Sequence, residues 1–185
     1  MAVKLGVDQT KINQYNSILI TATEAQSKIQ EDLEIRIDKL TDLKDEIFKY
    51  VNSQDLRIQD DPELDQVEKT LARAQNYMNR VIEILFESTR KKIDLERMKK
   101  SIYNNMIVCV EGGDANTRIS FIENNLTTFT QSITIEDDMI SLCKVVVDNL
   151  KKIQETSSRQ LTAINYRIQM KTTGMQNMDD LNMDI

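Results

Sequence analysis

The chain has 185 residues, 40 % apolar and 29 % charged, with a formal net charge of −6, four glycines, one proline, and no histidine or tryptophan. The acidic balance argues against non-specific nucleic-acid binding by the chain as a whole. The absence of histidine removes the commonest general base, the Ser-His-Asp and Cys-His nucleophile systems, and the commonest zinc ligand.

So few helix breakers, in a chain rich in Ile, Leu, Lys, Glu, Gln and Asp, predict long helices and few turns. The opening MAVKLGVDQT has no apolar core of the signal-peptide kind, so no leader is expected. Residues 1–9 read as a short, poorly anchored arm, with Asp8 or Thr10 able to cap the first helix.

That helix is expected over about 10–51. Its heptad seam is Ile12, Tyr15, Leu19, Ala22, Gln26, Ile29, Leu33, Arg36, Leu40, Leu43, Ile47 and Tyr50. Gln26 and Arg36 interrupt the seam, and Ile18 and Ile37 widen it enough to suit contact with two partners. The polar run Asn52–Asp61 breaks the pattern. Asp61-Pro62-Glu63 then supplies an N-cap acceptor, a first-turn proline and a first-turn carboxylate.

The second helix is expected over about 62–111. Its seam runs Leu64, Val67, Leu71, Ala74, Met78, Val81, Leu85, Ser88, Lys92, Leu95, Lys99, Ile102, Met106, Cys109. The belt Val81-Ile82-Glu83-Ile84-Leu85-Phe86 is apolar almost all round and predicts contact on more than one face. Gly112-Gly113 stops the helix through a left-handed cap. The link after it is short, which predicts antiparallel neighbours.

The third pattern is the longest, expected over about 115–172. Its seam is Ile119, Ile122, Leu126, Phe129, Ile133, Glu136, Ile140, Cys143, Val147, Leu150, Gln154, Ser157, Leu161, Ile164, Ile168, Lys171, Met175 and Met178. Thr127–Ile135 is rich in β-branched residues, which allows a kink or a break near 131–134, and the continuous heptad phase across it favours the kink. Residues 175–185 read as a flexible acidic tail, with Met178, Leu181, Met183 and Ile185 as spaced hydrophobes able to dock on a partner.

The expected fold class is therefore all-α: an elongated antiparallel three-helix bundle or coiled coil. It is read as a single domain over 1–174, with helices of roughly 60, 70 and 85 Å at about 1.5 Å per residue. Cys109 and Cys143 fall on seams some 40 Å apart in such a bundle, about six times disulfide reach, and read as buried thiols. No run of 18 apolar residues occurs, so no membrane span is expected.

Motifs that carry chemistry are few. No GxGxxG or GxxxxGK[ST] loop and no CxxC pair occurs. Glu136-Asp137-Asp138 reads as charge in a helical first turn rather than a cation site. Glu83 and Glu87 lack the Glu-x-x-His companions that a bundle di-iron centre needs. No catalytic residue, cofactor or metal is therefore expected, and the chain reads as a non-enzyme.

One stretch stands out for binding. Between Ser88 and Lys100, Arg90, Lys91, Lys92, Arg97, Lys99 and Lys100 face only Asp94 and Glu96. The plain expectation is pairing with the acidic first helix (Glu31, Asp32, Glu34, Asp38, Asp42, Asp45, Glu46). The alternative is contact with nucleic acid or another polyanion. In architecture and size, long helical hairpins with charged arms resemble viral genome-packaging small-terminase subunits. That resemblance implies an oligomeric nucleic-acid-binding adaptor. The leading expectation is a structural or assembly protein, as in virion assembly. It would act through helix–helix contacts with protein partners, form a homo-oligomer, and reside in the cytoplasm or a virion.

Overall fold

A computed structural model describes residues 6–53 and 63–181, with side chains described except at 39, 40, 43, 48, 51 and 52 and from 175 onward. The protein is all-α with long helices. In chain order come β1 (Gly6–Val7), a 3-10 turn (Gln9–Lys11), α1 (Ile12–Ser53), α2 (Leu64–Ile107), β2 (Val110–Glu111), α3 (Ala115–Asn125) and α4 (Thr127–Leu181). Residues 54–61 of the expected connection, Pro62, and the side chains at the seam positions Leu40, Leu43, Met175 and Met178 lie outside the described residues. No helix of the described residues is long and apolar enough to cross a membrane.

Two compact units are built from these helices. Unit 1 comprises Met1–Leu43 and Ile84–Leu142; unit 2 comprises Lys44–Glu83 and Cys143–Ile185.

In unit 1, seam residues from different helices meet. Tyr15 and Ala22 of α1, Leu95, Ile102 and Met106 of α2, and Ile122, Leu126 and Phe129 of α3 and α4 form one buried cluster with Cys109 and Val110. Rising numbers on α1 meet falling numbers on α2: Lys11 bonds the Val108 carbonyl and Arg36 bonds Ser88. Rising numbers on α3 and α4 likewise meet falling numbers on α2, with Glu123 against Lys99 and Asp137 against Lys92.

Within the arm expected to be loose, the described residues 6–9 are tied down. Gly6 and Val7 pair antiparallel with Glu111 and Val110. The Asp8 N–H donates to the Cys109 carbonyl at 2.9 Å, and Lys11 Nζ to the Val108 carbonyl at 2.8 Å. Pairing satisfies backbone groups left over where α2 stops at Ile107, four residues before the expected end. Gly112 and Gly113 then turn the chain with φ of 81° and 63°, which glycine adopts without a Cβ penalty.

The long third pattern breaks earlier than expected, at Leu126 rather than 131–134. Leu126 has φ −110° and ψ 16°, and its N–H reaches back only to the Glu123 carbonyl. Side chains compete for the same carbonyls: Asn125 Nδ2 donates to Phe121 O at 2.8 Å, and Thr127 Oγ1 to Asn124 O at 2.9 Å. The β-branched stretch beyond stays helical because Phe129, Ser132 and Glu136 are buried on its inner face. Burial outweighs the modest propensity deficit.

In unit 2 the core comprises Ile47, Tyr50, Val67, Ala74, Met78, Val81, Cys143, Val147, Leu150 and Ile153. Tyr50 packs on Tyr77 with ring centroids 5.1 Å apart, and its hydroxyl donates to the Thr70 carbonyl at 2.9 Å. Tyr77 donates to Glu46 at 2.9 Å, and Arg80 closes on the same carboxylate at 3.3 Å. Both cysteines are free and buried.

Two caps make the hairpin end of unit 1 acid-sensitive. The Thr10 hydroxyl and N–H hold the Asp8 carboxyl below its ordinary value, and the Thr117 N–H and hydroxyl do the same for Asp114. A carboxyl depressed on folding contributes stability above its unfolded value and loses it as pH falls through the folded one. Replacing Asp8→Asn and Asp114→Asn keeps a cap oxygen and removes the charge. The acid limb of Tm against pH is expected to become shallower; an unchanged slope would exclude these two groups as its source.

Candidate functional site

Three residues that read separately as seam interruptions converge in unit 1. Arg36, Ser88 and Glu136 each replace an apolar residue in the heptad of α1, α2 and α4. All three are buried, at 8, 0 and 1 % exposure. Arg36 Nη1 donates to Glu136 Oε1 at 2.6 Å, and Nη2 to Ser88 Oγ at 2.7 Å and Glu136 Oε2 at 3.4 Å. The guanidinium fork thus spans both carboxylate oxygens and the hydroxyl, a geometry that an ammonium cannot reproduce.

Beside this layer lies a groove of about 200 Å³, with Ile29, Leu33, Leu95 and Met98 as apolar lining and Asp32, Lys91 and Glu136 among its polar groups. Lys91 pairs with Asp32 of α1. Burial pushes the Lys91 ammonium below its ordinary range, and the charge of Glu136 opposes that shift.

The basic stretch is largely consumed within the protein. Lys92 donates to Asp137 of α4 at 2.7 Å and lies 3.7 Å from Glu96; the Asp137 bond raises its pKa. Lys99 pairs with Glu123 of α3 at 2.7 Å. Arg97 lies 3.8 Å from Asp94 with its side chain 79 % exposed. Arg90 and Lys100 are exposed and form no ion pair among the described residues. Among the described residues, the expected pairing with the first helix is met by Asp32 alone. Glu123 and Asp137 take the other lysines because Lys92 and Lys99 lie on the α2 flank that faces α3 and α4.

Of the expected tail-docking residues, the side chains of Met178 and Leu181 and the whole of Met183 and Ile185 lie outside the described residues. Among the described residues no group of three His, Cys, Asp or Glu is placed to hold a metal ion. The Arg36–Ser88–Glu136 meeting could not be found from the sequence. Each break in the seam is visible singly, but their joint position depends on how far each helix is shifted along its neighbours. Compared with protein-family models, curated proteins and solved structures, the chain matches none of them.

Proposed function

We propose that this chain is a non-enzymatic structural or assembly protein, an elongated antiparallel three-helix bundle that self-associates through helix–helix contacts in the cytoplasm or a virion. The observation that carries this reading is the outer face of α2 in unit 1. Phe86 is 75 % exposed and Ile93, two turns on, is 42 % exposed. A spacing of seven puts them on one face. Neither is needed by the unit's own core, which is closed by Ser88 and Leu95 on the opposite side of the helix. Large side chains held at helical spacing in water suit a partner helix.

The test is sedimentation velocity over a range of concentrations. An oligomer is expected, and Phe86→Glu with Ile93→Glu is expected to shift it toward the monomer. A chain that stays monomeric at every concentration overturns the reading. The second reading, a nucleic-acid-binding adaptor of the small-terminase type, rests on Arg90 and Lys100, the two bases of the stretch without an ion pair among the described residues. It is the weaker, because Lys91, Lys92 and Lys99 are already engaged.

A further inference from the structure

Besides the Lys91–Asp32 pair, unit 1 sets the alignment of α1 along α2 in two places. One is the end, where Gly6–Val7 pairs with Val110–Glu111 and Lys11 reaches the Val108 carbonyl. The other is the Arg36 layer, about 25 residues or roughly 40 Å farther along α1.

Between them the core repeats itself. Tyr15, Ala22 and Ile29 on α1 face Leu95 and Ile102 on α2, apolar groups at heptad spacing. A slide of one heptad, about 10 Å, leaves apolar groups against apolar groups. Cores tolerate such exchange when volume and pattern are kept. The layer does not. A slide that carries Arg36 to the level of Leu95 and Phe129 strands its guanidinium among apolar groups and leaves Glu136 buried without a partner.

From this we infer that Arg36–Ser88–Glu136 is a register key: it selects one alignment of α1 against α2 and α4 by penalising every other. This goes beyond the proposed assembly role, and it holds or fails whether or not copies associate.

The experiment measures a distance within one copy. Spin labels go on cysteines introduced at the exposed Ser17 and Ser101, which line one groove between α1 and α2. The doubly labelled full chain is diluted into unlabelled chain, in a background where Gly6→Pro, Val7→Pro and Lys11→Ala remove the end ladder and the Val108 contact. With the layer intact, one narrow distance distribution is expected. With Arg36→Leu, Ser88→Ala and Glu136→Leu, a second population at a different distance is expected, shifted by several ångströms because part of the separation lies across the helices and not along the slide of about 10 Å. Arg36→Glu alone, which sets two carboxylates face to face, is expected to move the labels too, so the inference does not hang on one variant. A single unchanged distribution in both layer variants overturns the key. So does a split distribution while the layer is intact.

Discussion

Arg36→Ala is expected to destabilise the protein by about 3–5 kcal/mol, read as a lowered midpoint in urea unfolding followed by circular dichroism. The cost does not come from a lost attraction alone. Glu136 is 1 % exposed, and without the fork its carboxylate stays buried with no cation in hydrogen-bonding contact, only the more distant Lys91 ammonium. Keeping an unpaired charge out of water costs more than the attraction it has lost. Arg36→Lys is expected to recover only part of the loss, because one ammonium cannot span two carboxylate oxygens and Ser88. Replacing the whole layer by apolar residues is expected to be close to neutral, since it removes the desolvation cost along with the pair. If Arg36→Ala costs less than about 1 kcal/mol, comparable to an exposed ion pair, the layer is more hydrated than its burial shows.

Phe129→Ala is expected to cost a similar amount, about 3–5 kcal/mol, for a different reason. Its ring is 1 % exposed in the cluster of Ile122, Leu126 and Met106, and truncation opens a cavity that the rigid helices around it close only in part. Phe86→Ala is the matched control. That ring is 75 % exposed, so truncation should change monomer stability by no more than about 0.5 kcal/mol while weakening self-association. Equal losses for the two phenylalanines would contradict the burial assigned to each.

The heptad seams were legible because their period comes from the helix itself. On α2, Val67, Ala74, Met78, Val81, Leu95, Ile102 and Met106 are all buried, as their spacing predicts, and so is Cys109 just past its end. Even the interruptions obeyed the period: Ser88 and Arg36 stay in phase and stay buried. What the period cannot carry is anything that depends on two helices at once. Lys92 and Lys99 read as partners for the first helix; they bond Asp137 and Glu123 instead, because the side of α2 that bears them faces α3 and α4. The Gly6–Val7 pairing was invisible for the same reason, since its partner lies far along the chain.

The break at Leu126 was misplaced for a more local cause. Weak propensity in Thr127–Ile135 pointed to a kink inside that stretch. Tertiary burial of Phe129 and Glu136 keeps it helical, and the helix yields where Asn125 and Thr127 take carbonyls from the backbone.

The layer also imposes an order of events when the chain is made. Arg36 and Glu136 are separated by 100 residues. At a synthesis rate of about 5–20 residues per second, α1 waits on the order of 5–20 s before its guanidinium can meet a carboxylate that does not yet exist. An unpaired guanidinium is costly to bury, so the middle of α1 has no matching partner until Glu136 is in place. Contacts of such long separation form late and slow the final step of folding. The contact that aligns the helices in the finished protein is thus among the last that synthesis makes possible.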